Sequence, residues 1–297
     1  MTVLVVGNAT VDLSFEVDHL PEPGETLLAR TRLVDAGGKG LNQAVVAHRA
    51  GAPVVYIAAV GDDADAEIIR GRLAQESMAE RLLVRHGPTD QSIIYLARGG
   101  ENSIVSTAAR AASVGAADAA AAIDALVPGD ILLMQGNLSR DTTRGCLSRA
   151  RDLGVRTLLN PAPIAYGYDQ VLPFVDVAMV NEVESRSLTG RSDPVDAARR
   201  LMEFGIGAVV VTLGAEGALA VTSETLQREP APRVRTIDTT GAGDVFCGVL
   251  GAALDRGRAL SKALAPAVAA ASLSVTRRGT SSSFPTPDEL ARILGTA

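Results

Sequence analysis

Six short apolar runs, interspersed with stretches of helical period, constrain the fold of this chain more than any other feature. They are TVLVVG (2–7), VVYIAAV (54–60), DILLMQG (130–136), VRTLLN (155–160), DVAMVN (176–181) and AVVVTLG (208–214). Runs this short, with no regular polar alternation, suit strands buried on both faces. Between them lie GKGLNQAVVAHRAG, DAEIIRGRLAQES, ADAAAAIDALVP, SRDTTRGCLSRARDLG and DPVDAARRLMEFG, which carry helical spacing and close on Gly, Pro or a polar turn. The alternation predicts an α/β fold, a mainly parallel sheet covered by helices on both sides.

Two stretches break that rhythm, VDLSFEVDHLPEPGETLLARTRLVDAGG (11–38) and QSIIYLARGGENSIVSTA (91–108). Each alternates apolar and polar residues around a Pro-Gly or Gly-Gly-Glu-Asn turn with no helix between, the pattern of a hairpin. They read either as two separate surface hairpins or, paired with each other, as a small sheet. In the second case, residues of about 11–37 and 91–108 form a lid over the carboxyl ends of the main strands, where open α/β sheets take ligands. No linker divides the chain, so residues 1–297 are expected to form a single domain.

The net charge of −6 and the scattered Lys and Arg residues give no basic field for nucleic acid, although one local positive site would serve a small anion. Cys146 and Cys247 sit singly inside apolar patterns, as buried thiols do in a reducing compartment. His19, His48 and His86 show no metal-ligand spacing. No window reaches the apolar length of a membrane span, and MTVLVVGN lacks the basic start and apolar length of a secretion signal. A cytoplasmic protein with no membrane partner is the expectation.

The chemistry concentrates in DTTGAGDVFCGVL, Asp238 to Leu250. Gly241 and Gly243 permit a tight turn, and AGDVFCGVLGAAL then has apolar helical spacing. The first N–H groups of such a helix make an anion site. Asp244 falls in the first turn, where a carboxylate complements the helix dipole, which accounts for one aspartate but not for the small residues before it. A carboxylate beside an anion hole suits a base that deprotonates a hydroxyl while N–H groups stabilise a transferring phosphoryl group. A second glycine pair, in AGGKGLNQA (36–44), reads as a turn into a helix whose Lys39 and Asn42 can donate to substrate hydroxyls. Neither stretch is GxxxxGK[ST] or G-x-G-x-x-G, so both common nucleotide fingerprints are absent.

These stretches, with GNATVD (7–12), GDD (61–63), NPAP (160–163), NEVE (181–184), TLGAEG (212–217) and VTRRGTSSSFP (275–285), make the chain resemble the ribokinase-like, PfkB-type carbohydrate kinases from end to end, with the ribokinase branch the nearest. The resemblance implies a three-layer α/β/α fold with a small β-sheet lid. It also implies ATP-dependent phosphorylation of a sugar hydroxymethyl group by in-line transfer, with ribose the first candidate. In that frame Asp244 is the general base, and Gly241, Ala242 and Gly243 form the anion hole. Thr10, Asp12, Gly38, Lys39, Asn42 and Asn137 fall on the sugar pocket. Asn181, Thr212, Gly214 and Gly243 match ATP-contacting positions, and Glu184 matches the one that helps hold Mg2+ through water. Asp238, the carbonyl of Thr240, Ser274, Arg277, Gly279 and Ser283 match the loops that hold an activating K+. The lid implies a homodimer contact.

Two positions depart from the ribokinase pattern: Thr10 stands where Asn is usual, and Asn137 where a sugar-binding Glu is usual. Both bear on which hydroxyls are held, since one buried polar contact is worth about 1–3 kcal/mol. A nucleoside kinase would need stacking surfaces, for which the lid stretches offer Phe15 and Tyr95. A sugar-phosphate kinase would need cations, for which Arg30, Arg32, Arg98 and Arg110 lie in or near the lid. A non-catalytic sugar sensor would be expected to lose the base or the glycine loop, and both are intact.

Overall fold

The computed structural model describes residues 1–98 and 101–296. The described residues form thirteen strands, interspersed with helices: β1 (Val3–Val6), β2 (Thr10–Val17), β3 (Thr31–Gly37), β4 (Val54–Val60), β5 (Ala79–Val84), β6 (Gln91–Ala97), β7 (Asn102–Ser106), β8 (Ile131–Gln135), β9 (Arg156–Asn160), β10 (Val177–Asn181), β11 (Ala208–Thr212), β12 (Ala218–Thr222) and β13 (Leu226–Glu229). Nine form one sheet in the order β13-β12-β11-β10-β9-β8-β1-β4-β5. From β11 to β5 every neighbouring pair is parallel, while β11, β12 and β13 pair antiparallel.

Successive side chains of each central strand enter opposite cores. Val3 and Val5 pack into a layer with helices Lys39–Arg49, Ala64–Glu76, Ala242–Asp255 and Leu260–Ser274; Leu4 and Val6 pack with helices Ala116–Asp124, Arg140–Asp152 and Pro194–Met202. This two-sided burial is why the strands read as continuous apolar runs, and it gives the expected three-layer α/β/α arrangement. Three further strands lie outside the six runs. β5 and β13 are the two edges, and AERLLV and LQRE are largely exposed or partly buried, as peripheral strands are, while β12 lies buried between β11 and β13.

The two irregular stretches form a single four-stranded sheet, in the order β3-β2-β6-β7. β2–β3 and β6–β7 are the antiparallel hairpins, and parallel pairing of β2 with β6 joins them, with Asp12 opposite Ser92 and Phe15 opposite Tyr95. The Pro-Gly turn is present at Glu22 to Glu25, within a long connection from Asp18 to Arg30. The Gly99-Gly100 turn assigned to the second hairpin lies outside the described residues. In the large sheet the chain runs from β1 outward to β5 and then returns to the other side of β1 at β8. The carboxyl ends of β1 and β8 thus flank a topological switch point.

Candidate active site

Two helices start at this switch region, each from a glycine in the left half of conformational space. Gly38 (φ 100°) precedes Lys39–Arg49 and Gly241 (φ 80°) precedes Ala242–Asp255. Neither helix has a side-chain N-cap, whereas four helices away from the site are capped by Asp63, Ser139, Asp193 and Thr286. The first helix is closed from outside, because Asn8 Oδ1 accepts from Gly40 N (3.1 Å) and Asn8 O from Leu41 N (3.1 Å). In the second, Ala242 N donates weakly to Thr239 O (3.3 Å), and Val245 N begins the helix ladder on Gly241 O. Among the described residues, the N–H groups of Gly241, Gly243 and Asp244 find no acceptor. These three N–H groups leave the helix start open to an acceptor, while the Ala242 N–H is turned to the loop.

Asp244 is buried and held from the other glycine-led helix. Asn42 Nδ2 donates to Oδ2 (2.9 Å) and Gln43 Nε2 to Oδ1 (3.0 Å). Gln43 Nε2 also donates to Asn160 Oδ1 (3.2 Å), Gln43 Oε1 accepts from Gln135 Nε2 (2.9 Å), and Asn160 Nδ2 donates to Met179 O (2.9 Å). Sequence reasoning singled out Asn42 but not Gln43, Gln135 or Asn160. These three stand inside apolar runs or beside a motif residue, and nothing local marks them as partners.

The small sheet closes over this helix pair with its Asp12 face. Thr10 Oγ1 donates to Asp12 Oδ1 (2.8 Å), and Ser106 Oγ donates to Ser92 Oγ (2.9 Å), so a row of hydroxyls runs across the strands beside the carboxyl. Burial pushes the Asp12 carboxyl up to about 6; the hydroxyls of Thr10 and Ser92 oppose the rise, and Asp35 and Asp244 add to it. Gly37 is required here, because a Cβ would run into the Asp12 carboxyl. Burial would lower the pKa of the Lys39 ammonium, but Asp244 and Glu184 outweigh it and hold the group above its ordinary value.

Two cavities meet at Gly243, Thr212 and Thr239. The polar one, of about 330 Å3, is lined by Lys39, Asn160, Asn181, Glu184, Gly241 and Asp244, with Asn102 and Ile104 of the small sheet on its far side. The other, of about 580 Å3, is lined mainly by apolar atoms from Ala231, Val234, Phe246, Val268, Ala271 and Val275, and includes Gly214. A Cβ on Gly243 would meet nothing within 4 Å, so its α-carbon faces open space where the cavities join. Asn181 and Glu184 cap each other across the helix Glu182–Thr189, Asn181 Oδ1 accepting from Glu184 N (2.8 Å) and Glu184 Oε2 from Asn181 N (2.9 Å). This leaves Glu184 Oε1 free toward the polar cavity.

Asp238 ties two loops together, accepting from Thr240 N (2.9 Å) on Oδ1 and from Gly279 N (2.9 Å) on Oδ2. Ser274 and Ser283 donate to Ala271 O and Thr280 O, Arg277 is paired with Glu289, and Thr240 Oγ1 is buried without a partner. Oxygen donors of this kind suit a hard cation. No cluster of three or more His, Cys, Asp or Glu residues occurs among the described residues.

Of the residues expected around the sugar, Lys39 and Asp244 line the polar cavity; Thr10, Asp12, Gly38, Asn42 and Asn137 line neither cavity, and the Oδ1 atoms of Asn42 and Asn137 are buried without a partner. Phe15 and Tyr95 contact each other (ring centroids 6.3 Å apart) on the face of the small sheet opposite Asp12 and Ser92. Arg30 and Arg98 pair with Asp18, and Arg110 donates to the carbonyl of His86. Neither the rings nor these three arginines line either cavity.

A parallel α/β sheet with a carboxylate held at the open start of a helix, between a polar and an apolar cavity, is the architecture of a phosphotransferase. A family model described as pfkB family carbohydrate kinase matches residues 2–287, and the chain belongs to that family. It is 32% identical to a ribokinase from Haemophilus influenzae, over 99% of this chain and 98% of the relative. A solved ribokinase from Thermotoga maritima superposes with a TM-score of 0.90 at 30% identity, covering 99% of each chain. An Arabidopsis thaliana ribokinase solved with ribose and ATP superposes at 0.86 with 26% identity, again over 99% of each.

Proposed function

We propose that this carbohydrate kinase transfers the γ-phosphoryl group of ATP to the hydroxymethyl group of a small free sugar, with ribose the first candidate. The observation that carries this is the position of Asp244: clamped through both carboxylate oxygens, in the first turn of a helix with free N–H groups, where the two cavities join. The apolar cavity takes the nucleotide base, with Thr212, Gly214 and Asn181 beside its phosphates. The sugar lies between Asp244 and the Asp12 face of the small sheet, with Lys39, Asn42, Thr10 and Gly38 around its hydroxyls; Asn137, which lines neither cavity, is given no contact with it. Asp244 takes the hydroxyl proton, and Gly241, Gly243 and Asp244 donate N–H groups to the transferring phosphoryl, with Ala242 shaping the turn.

Glu184 fits the role of holding Mg2+ through water; the ion, when bound, neutralises phosphate oxygens. The Asp238, Thr240, Ser274, Arg277, Gly279 and Ser283 loops would hold K+ and keep the Gly241 turn in place. The small sheet acts as the lid of a single domain. Its outward row of Val34, Leu13, Ile93 and Val105, three of them exposed at 40, 36 and 64%, supports pairing of two chains through that face. The stretches offered for a base or a phosphate face away from the cavities or are tied elsewhere, which favours a free sugar over a nucleoside or sugar phosphate.

The test is ADP release measured over pentoses, deoxypentoses, hexoses, polyols, nucleosides and sugar phosphates, with K+ or a larger inert cation. The reading expects the highest kcat/KM on ribose or a near relative and a higher rate in K+. Turnover on no free sugar would overturn the substrate class, and equal rates in both salts would remove the K+ site.

A further inference from the structure

Gln43 is fully buried in the heart of the fold, and every polar atom of its amide is engaged. Its neighbours fix which end is nitrogen. An ionised carboxylate only accepts, so the end facing Asp244 Oδ1 must donate, and the same nitrogen meets the carbonyl oxygen of Asn160. Gln135 and Asn160 end the adjacent strands β8 and β9, and Asn160 is itself anchored on the Met179 carbonyl of β10. Two neighbouring strand ends therefore converge on one amide, one of them anchored in turn on a third strand, and that amide has a single ionised partner.

We propose that Gln43 is the positioning residue of the base: it transmits the fixed geometry of the strand ends to Asp244 and, with Asn42, occupies one lone-pair direction on each carboxylate oxygen, which fixes where the remaining ones point for the incoming hydroxyl. The proposal rests on the reading of Asp244 as base and deepens it. Without Gln43 the carboxylate is held by Asn42 alone and can turn about its last torsion, and a misplacement of this kind in a reacting group costs up to about 100-fold in rate. A lost donor to the ionised form also raises the pH at which the carboxylate loses its proton. The other charged and titratable groups facing Asp244 are Lys39 on the adjoining helix, Asp12 on β2 and Cys247 on its own helix, with Glu184 across the cavity. All are unchanged in a Gln43 variant, so a shift relative to the parent protein reports on the Gln43 contact.

The experiment compares Gln43→Met, which keeps the shape without the polar atoms, with the parent protein and with Asp244→Asn. The expected result for Gln43→Met is a kcat lower by about 10–100-fold, KM for ATP within about threefold, and an acid limb of kcat/KM moved upward by about 0.5–1 pH unit. A Gln43→Met protein with parental kcat and an unmoved acid limb overturns the proposal, as does a lower kcat with an unmoved limb, which marks a merely structural role. If Gln43→Met does not fold, Gln135→Met replaces it; this variant keeps the Gln43 donor but removes what orients it. An upward shift there, with a loss of about two- to fivefold, supports the relay, and an unmoved profile overturns it. The Asp244→Asn arm separates the two ideas: near-parental turnover there removes the base itself, whereas an inactive Asp244→Asn beside a parental Gln43→Met removes only the relay.

Discussion

The two sides of the substrate space are built on different principles. The floor, made of the helices that follow Gly38 and Gly241, is buried, and its polar groups are held to one another: Asp244 by Asn42 and Gln43, Gln43 by Gln135, Asn160 by the β10 backbone. The small sheet opposite presents a row of hydroxyls and the carboxyl of Asp12, which burial pushes up to about 6. A rigid network suits a group that must meet a reacting atom at one angle. A carboxyl left short of partners suits one that is to be satisfied by a ligand. The floor is therefore expected to govern turnover, and the sheet to govern sugar affinity.

The sharpest way to break that division is to change one carboxylate on each side. Asp244→Asn is expected to lower kcat by about 10²–10⁴ with little change in ATP binding, read by steady-state turnover and nucleotide titration. Asp12→Asn is expected to raise KM for the sugar by about tenfold or more at a kcat that changes less, since it alters a contact made before the transition state. Equal kcat losses in the two variants would erase the distinction.

Asp12→Asn carries a second, opposite effect on the free protein. The folded carboxyl, raised from 3.8 to about 6, binds its proton more tightly than the unfolded one, so its ionisation counts against the fold as pH rises through that interval. At pH 7 the substitution should therefore stabilise the apoprotein, by at most about 3 kcal/mol at 1.36 kcal/mol per unit. The gain should vanish below about pH 4, where both forms of the side chain are neutral; thermal melts at the two pH values check this. Stabilisation that persists in acid would mean that Asp12 is not strained by burial.

Smaller effects test the edges of the comparison. Gly241→Ala places a methyl group 3.1 Å from Phe284 and Thr280 at φ +80°, and should cost about 1–3 kcal/mol in denaturant unfolding. Val105→Asp, on the outward row of the small sheet, should shift a dimer toward monomer in sedimentation while turnover per chain changes less than about threefold. A monomeric parent protein would instead leave the apolar row without a role in pairing.

Much of this arrangement was legible in the chain itself. The strand runs are apolar because both faces of the sheet are covered, and the two glycine turns announce themselves because a backbone at positive φ excludes most other residues. The pairing of the two irregular stretches was one of two readings that their shared alternation left open, and the folded sheet decided it. The face each residue takes was only half legible: strand parity puts Phe15 and Tyr95 opposite Asp12 and Ser92, but only the packed sheet shows which face meets the cavity.

The sequence thus determined the class of fold, the open helix start and the carboxylate of Asp244 within it, because each depends on preferences within a few residues. The tertiary structure alone decided what holds that carboxylate. Gln43 lies 201 residues from Asp244, 117 from Asn160 and 92 from Gln135, and a hydrogen bond of about 3 Å between such residues leaves no local trace. It arises only when separate strands end at one edge of a packed sheet, where a buried amide must find partners for each of its polar atoms.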